Sequence, residues 1–189
     1  MTTVDLLFSF QIVKARTCHA RDISALAGRF QLSSLSPQDA RAHGFLVSGF
    51  CERDYAAFAK RGDHFYVVLH DTQVVGFLLG YTREEIEPGA VVDRHLADRY
   101  QEPFLIIKQI CVRPDFAKHG LASRLYDHVA RQVPRFRIFA AIVLEPLNLP
   151  SIRFHEKLQF EKVLEITPPD GLPRGVWSRQ PIEDIHVHE

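Results

Sequence analysis

Two short apolar runs, each passing into a helix, constrain this chain more than any other feature. The first covers residues 104–110 (F-L-I-I-K-Q-I), whose length and content predict a buried strand. It leads through V-R-P-D-F-A-K-H-G-L-A into residues 123–133, where apolar side chains recur at helical spacing. The strand is expected to end at Val112, with Lys118, His119 and Gly120 in the loop before the helix. Backbone N–H groups at a helix start have no partner inside the helix and carry the positive end of its dipole, so they suit a phosphate. Gly120 removes a side chain where backbone must approach a ligand, and Ala122 keeps the first turn small. Lys118 and His119 add positive charge. Neither G-x-x-x-x-G-K-[ST] nor G-x-G-x-x-G occurs, so the two common nucleotide loops are excluded.

The second run, residues 139–144 (F-A-A-I-V-L), is followed by N-L-P-S-I-R-F-H-E-K-L-Q-F over residues 148–160. Pro150 and Ser151 suit the first turn of a helix, and Phe154 and Leu158 fall four apart on one face.

Taken together, these motifs resemble the GNAT superfamily of acyl-CoA-dependent N-acyltransferases. That family's loop [Q/R]-x-x-G-x-[G/A] corresponds to A-K-H-G-L-A at residues 117–122, with Ala117 departing at the first position. Its N-x-x-A-x-x-hydrophobic-Y-x-x-x-G-F segment corresponds to residues 148–160; His155 replaces Tyr and Gln159 replaces Gly. The resemblance implies an α/β fold: a mixed, mostly antiparallel sheet of about six or seven strands, helices on both faces, and a splay between the fourth and fifth strands. It implies acetyl-CoA or another acyl-CoA as co-substrate, and no metal. The pantetheine arm is expected along Ile110, Cys111 and Val112, and the pyrophosphate on Lys118, His119, Gly120, Leu121, Ala122 and Ser123. An N–H near Val112 would polarise the thioester oxygen. Asn148 is expected to orient the CoA arm or a water.

Acyl transfer to an amine also needs a proton donor and a proton acceptor. His155, at the family's Tyr position, is the candidate for the first as an imidazolium, or for the second as a neutral ring. The fourth strand carries no acid, so Glu145 is the nearest carboxylate in sequence, with Glu84, Glu85 and Glu87 as further candidates. Plainer readings stand beside these. Gly120 fits a simple turn, Asn148 a helix cap, His155 a core histidine with satisfied nitrogens, Glu145 a structural role, and Cys111 a small core residue. His186 and His188 could bind a metal or simply end the chain.

The chain's 189 residues fit one domain, expected to span 1–189. A formal net charge of zero lowers the weight of nucleic-acid binding, and no apolar run is long enough to span a bilayer. The N-terminal M-T-T-V-D-L-L-F-S-F lacks a signal peptide's basic region and cleavage site; with three Cys at no metal spacing, a cytoplasmic protein is expected.

Further elements follow from pattern. A first strand is predicted over residues 6–15, a helix capped by Asp22 running to about Leu32, and a short helix from Ser36. An amphipathic helix over residues 52–61 precedes a hairpin of residues 64–69 and 74–81. The charged segment 82–101 reads as a loop with a short helix around 93–100, bordering the acceptor side. Strands over about 161–166 and 176–179 close the chain. The expected activity is transfer to a primary amine of a small molecule or peptide. The alternatives are a CoA-binding sensor without catalysis and an interaction module, with a homodimer formed through the C-terminal strands.

Overall fold

The computed structural model describes residues 10–62 and 64–182. They build one seven-stranded sheet in the order β1-β2-β3-β4-β5-β7-β6. The strands are β1 (Phe10–Lys14), β2 (His64–His70), β3 (Gln73–Thr82), β4 (Phe104–Val112), β5 (Arg137–Val143), β6 (Glu161–Ile166) and β7 (Arg174–Arg179). The helices are α1 (Ala20–Gly28), α2 (Pro37–His43), α3 (Glu52–Arg61), α4 (Val91–Arg99), α5 (Leu121–Gln132) and α6 (Leu149–Lys157). Only β4 and β5, joined by α5, run parallel; every other pair is antiparallel. The expected mixed sheet with helices on both faces is therefore what the chain forms.

Local chemistry explains most boundaries. Asp71 and Thr72 both take positive φ, which makes a two-residue turn between β2 and β3, tighter than the four-residue turn expected. Ser36 caps α2, its hydroxyl accepting from the Asp39 N–H at 3.1 Å. Helix α1 begins at Ala20, so Asp22 lies in its first turn rather than at its cap. Helix α5 starts two residues before its expected start, because Gly120 at φ 70 turns directly into it. Leu121, Leu125, Tyr126, Val129 and Ala130 make its buried stripe, each large apolar side chain contributing about 1.5–3 kcal/mol. The described part of the first predicted strand is β1; residues 6–9 lie outside the described residues, as do His186 and His188.

The sheet separates two layers. Helices α5 and α6 pack with Leu78, Leu105, Ile107, Phe160 and Trp177 on one face. Helices α1 and α3 pack with Phe65, Phe77 and Leu79 on the other, and α4 covers Phe104, Ile106 and Phe139.

A bulge in β4 sets the geometry of the centre. Leu79 pairs with Gln109 and Gly80 with Ile107, so Lys108 is the extra residue. Phe104 and Ile106 face α4 while Leu105 and Ile107 face α5. Beyond Lys108 the alternation is offset by one: Ile110 packs on the α5 side and Cys111 on the α1–α3 side. The same residue marks where β5 leaves. Parallel pairing runs from Phe104↔Arg137 to Ile107↔Ala140 and stops.

Candidate functional site

The divergence of β4 and β5 opens a cleft of about 340 Å³. The N–H of Arg113 donates to the Val75 carbonyl at 2.8 Å, and Val112 stands opposite Gly76. Antiparallel ladders bond alternate residues, so Cys111 turns its amide toward β3. The N–H and C=O of Ile110 and Val112 point instead into the gap left by β5. Such groups need a partner away from water, and an extended ligand arm with its own amides supplies one. Ile110 and Val112, where the arm is expected, present backbone groups on this edge; Cys111 turns its own toward β3 and contributes to the cleft wall. Its buried thiol is pushed well above the ordinary range by desolvation and is no nucleophile.

The start of α5 reaches the cleft through Ala122. No side chain caps this helix, and its first intrahelical bond runs from the Arg124 N–H to the Gly120 carbonyl at 2.9 Å. Lys118 shares the left-handed backbone of Gly120, with φ of 66. Lys118, His119 and Gly120 are exposed, and Leu121 is buried in the core. The His119 ring is folded back: its Nδ1–H donates to the Ala117 carbonyl at 3.0 Å, and it lies against Phe10 and Phe116. The loop therefore offers a glycine turn and a row of helix-start amides rather than a ring aimed into the cleft.

Asn148 lies at the cleft's other wall. Its Nδ2 donates to the Phe45 carbonyl at 2.9 Å, and its buried Oδ1 has no partner. It occupies the cap position of α6 but makes no side-chain cap bond, so the plain capping reading is corrected. Gly44 makes room for it. A Cβ there would lie 2.9 Å from Asn148 Oδ1, and the φ of 76 disfavours any side chain. An unpaired buried oxygen costs about 1–3 kcal/mol, which a ligand N–H or a water would offset.

His155 is 3% exposed and borders the cleft. A carbonyl can only accept, so the 2.7 Å contact with Ser151 places the proton on Nδ1. Nε2 then accepts from the Tyr126 hydroxyl at 2.6 Å. Burial lowers the ring's pKa to about 4, partly opposed by the Ser151 bond. The imidazolium acid suggested by the motif is thus absent near neutrality, and the neutral lone pair is already engaged. Glu145 is exposed on the turn after β5 and does not line the cleft, which removes it as a base in this geometry.

Three groups that sequence reasoning missed complete the site. Asp93 of α4 is 1% exposed and accepts from Lys108 Nζ at 2.8 Å and from the Tyr81 hydroxyl. Gln109 of β4 accepts from the Tyr55 hydroxyl at 2.7 Å and donates to the Ser48 carbonyl at 3.1 Å. The 44–48 segment forms a wall, held by the Leu46 N–H on the Phe30 carbonyl at 2.7 Å. The one available signal was the polar pair Lys108-Gln109 inside an otherwise apolar run. Among the described residues no cluster of His, Cys, Asp and Glu could hold a metal ion, and no helix is long and apolar enough to cross a membrane.

A family model described as the acetyltransferase (GNAT) family matches residues 30–160. Solved structures share the fold at low identity. Ard1 from Thermoplasma volcanium superimposes with a TM-score of 0.66 at 16% identity, covering 92% of this chain and 99% of its own. Arabidopsis thaliana Naa50, in complex with the bisubstrate analogue CoA-Ac-MVNAL, gives 0.61 at 16% identity, with 91% and 99% covered. Drosophila melanogaster polyamine N-acetyltransferase gives 0.62 at 12% identity, with 91% and 100% covered. No curated protein matches the chain in sequence.

Proposed function

Because this chain belongs to the GNAT family of acetyltransferases, we propose that it moves an acyl group, most simply acetyl, from acyl-CoA to a primary amine of a small molecule or peptide. One observation carries the reading: the amides of Ile110 and Val112 stand unpaired by β5, beside the uncapped start of α5. Ile110 and Val112 hold the pantetheine arm, the N–H groups of Gly120, Leu121, Ala122 and Ser123 hold the pyrophosphate, and Lys118 adds charge at the mouth. Asn148 Oδ1 accepts from the arm or from a water. The Val112 N–H faces the thioester oxygen and steadies the charge that develops there.

In the reaction a C–N bond forms, the C–S bond breaks, and the amine gives up its proton to water in the open cleft. Asp93 and Lys108 flank the point where β4 and β5 part, so the amine meets them as it attacks. The Lys108 charge favours an amine that has already lost its proton. The departing thiolate takes its proton from water along the open cleft. His155 has no proton free to give, and burial pushes the Tyr126 phenol well above its ordinary range. Positioning of donor and amine supplies the acceleration.

The reading is tested by calorimetry with CoA, followed by free-thiol release from acetyl-CoA across a panel of amines. No heat at millimolar CoA sinks it. A second reading, a CoA-binding protein without transfer, is favoured by the engaged nitrogens of His155. CoA binding with no thiol release on any amine selects it.

A further inference from the structure

A second cleft of about 430 Å³ adjoins the first and shares Val47, Ser48, Val92, Lys108 and Arg174 with it. It opens on the side of α3 and α4, away from the α5 loop, and so is where an acceptor would approach. Resting on the acyltransferase reading, we infer that this cleft takes a monoamine with an apolar aryl or alkyl body, not a polyamine or an aminoglycoside.

The argument is one of charge accounting. The cleft's charged lining residues are Glu87, Lys108, Asp170 and Arg174. Each already has a partner. Lys108 is paired with Asp93 at 2.8 Å. Arg174 holds Asp170 through two bonds, of 2.9 and 2.6 Å. Glu87 meets Arg61 at 3.3 Å. An acceptor with several ammonium groups gains most from carboxylates that lack a cation, and here each lining carboxylate already faces a cation of the chain. Taking Asp93 from Lys108 would leave a half-buried ammonium without its partner, which costs stability.

The uncharged walls carry apolar surface from Phe50, Phe58, Val91, Val92, Pro168 and Pro169; of the polar residues between them, Tyr81 gives its hydroxyl to Asp93, and the Ser48 carbonyl accepts from Gln31 and Gln109. Phe50 and Phe58 meet edge to face with centroids 5.1 Å apart, and the outer side of Phe58 is covered by the Arg61 guanidinium at 4.7 Å. An apolar body gains by leaving water here, while its single nitrogen points toward Lys108 and the acyl cleft.

The test compares kcat/KM for 2-phenylethylamine, spermidine and kanamycin with acetyl-CoA, alongside CoA calorimetry. A preference for 2-phenylethylamine of about tenfold or more is expected, a difference of about 1.4 kcal/mol. The second arm is Val91→Glu. Val91 is the first residue of α4 and 42% exposed, so the change costs little packing and adds one unpaired carboxylate to the wall. It is expected to narrow the preference about fivefold through a lower KM for spermidine. Equal or better use of spermidine or kanamycin by the unaltered protein overturns the inference. So does a ratio that Val91→Glu leaves unmoved, or CoA binding without transfer to any of the three. Failure to bind CoA sinks the acyltransferase reading itself.

Discussion

The Tyr126 hydroxyl donates to His155 Nε2 at 2.6 Å, and this bond determines what the imidazole can do. With Nδ1–H spent on the Ser151 carbonyl, the α6 ring is neutral, doubly bonded and buried against Tyr126 of α5. A residue at a motif position usually filled by a phenol has become part of the core, and a phenol from another helix leans on it.

The ring's depressed pKa makes stability depend on pH. Above the unfolded value of 6.5 both states are neutral and stability is full. As pH falls from 6.5 toward 4 the unfolded chain takes up a proton that the folded chain refuses. By pH 5 the loss from this residue is about 2 kcal/mol. Urea midpoints at pH 7.5 and pH 5 should fall less between the two for His155→Gln than for the unaltered protein. Parallel declines would show that the buried ring does not carry the effect.

Ala122→Glu puts a carboxylate in the first turn of α5, on the cleft wall. A negative charge near a helix start favours the helix by about 0.3–1 kcal/mol, so the melting temperature should hold or rise. The same charge faces the proposed diphosphate, and the CoA dissociation constant should rise at least about tenfold, which is about 1.4 kcal/mol. Unchanged CoA affinity would move the phosphate site away from this helix.

Lys108→Met strands the Asp93 carboxylate beside Tyr81. Breaking a buried pair from one side costs about 3–5 kcal/mol, and the part-exposed Lys108 head reduces this to about 2 kcal/mol. Adding Asp93→Asn should recover most of it, since an amide needs no counter-charge. A double variant no more stable than the single one in chemical denaturation would mean that the pair is not coupled.

Gln159 ends α6 with φ of 63, the left-handed turn that glycine makes without strain. Gln159→Gly should therefore stabilise the fold by about 0.5–1 kcal/mol and leave CoA binding alone. A lower melting temperature would show that the glutamine side chain earns its place through contacts.

Much of the fold was legible because the signals are local. Apolar runs on either side of a polar turn marked β2 and β3, helical period marked α3 over the residues expected, and the α5 helix was placed to within two residues of its start. The splay is expected from the family resemblance that the motif pair carries, and the parallel pairing of β4 with β5 stops at Ile107 as that implies. Less legible was segment 82–101, where α4 begins at Val91, two residues before the expected start. Its polar face and its apolar face serve different neighbours, so the pattern there is weak.

What the sequence alone determined is which segments form strands and helices, since hydrophobic period and turn chemistry act within a few residues. Only the tertiary structure decided that β7 lies between β5 and β6, and that one extra residue at Lys108 shifts the faces of β4. It also decided which polar groups meet: Asp93 with Lys108, Tyr55 with Gln109, Tyr126 with His155, Asn148 with Phe45. These pairs join separate elements of the chain. A side chain's protonation and reach depend on what packs against it, and that is set by the closing of the whole core rather than by its neighbours in sequence.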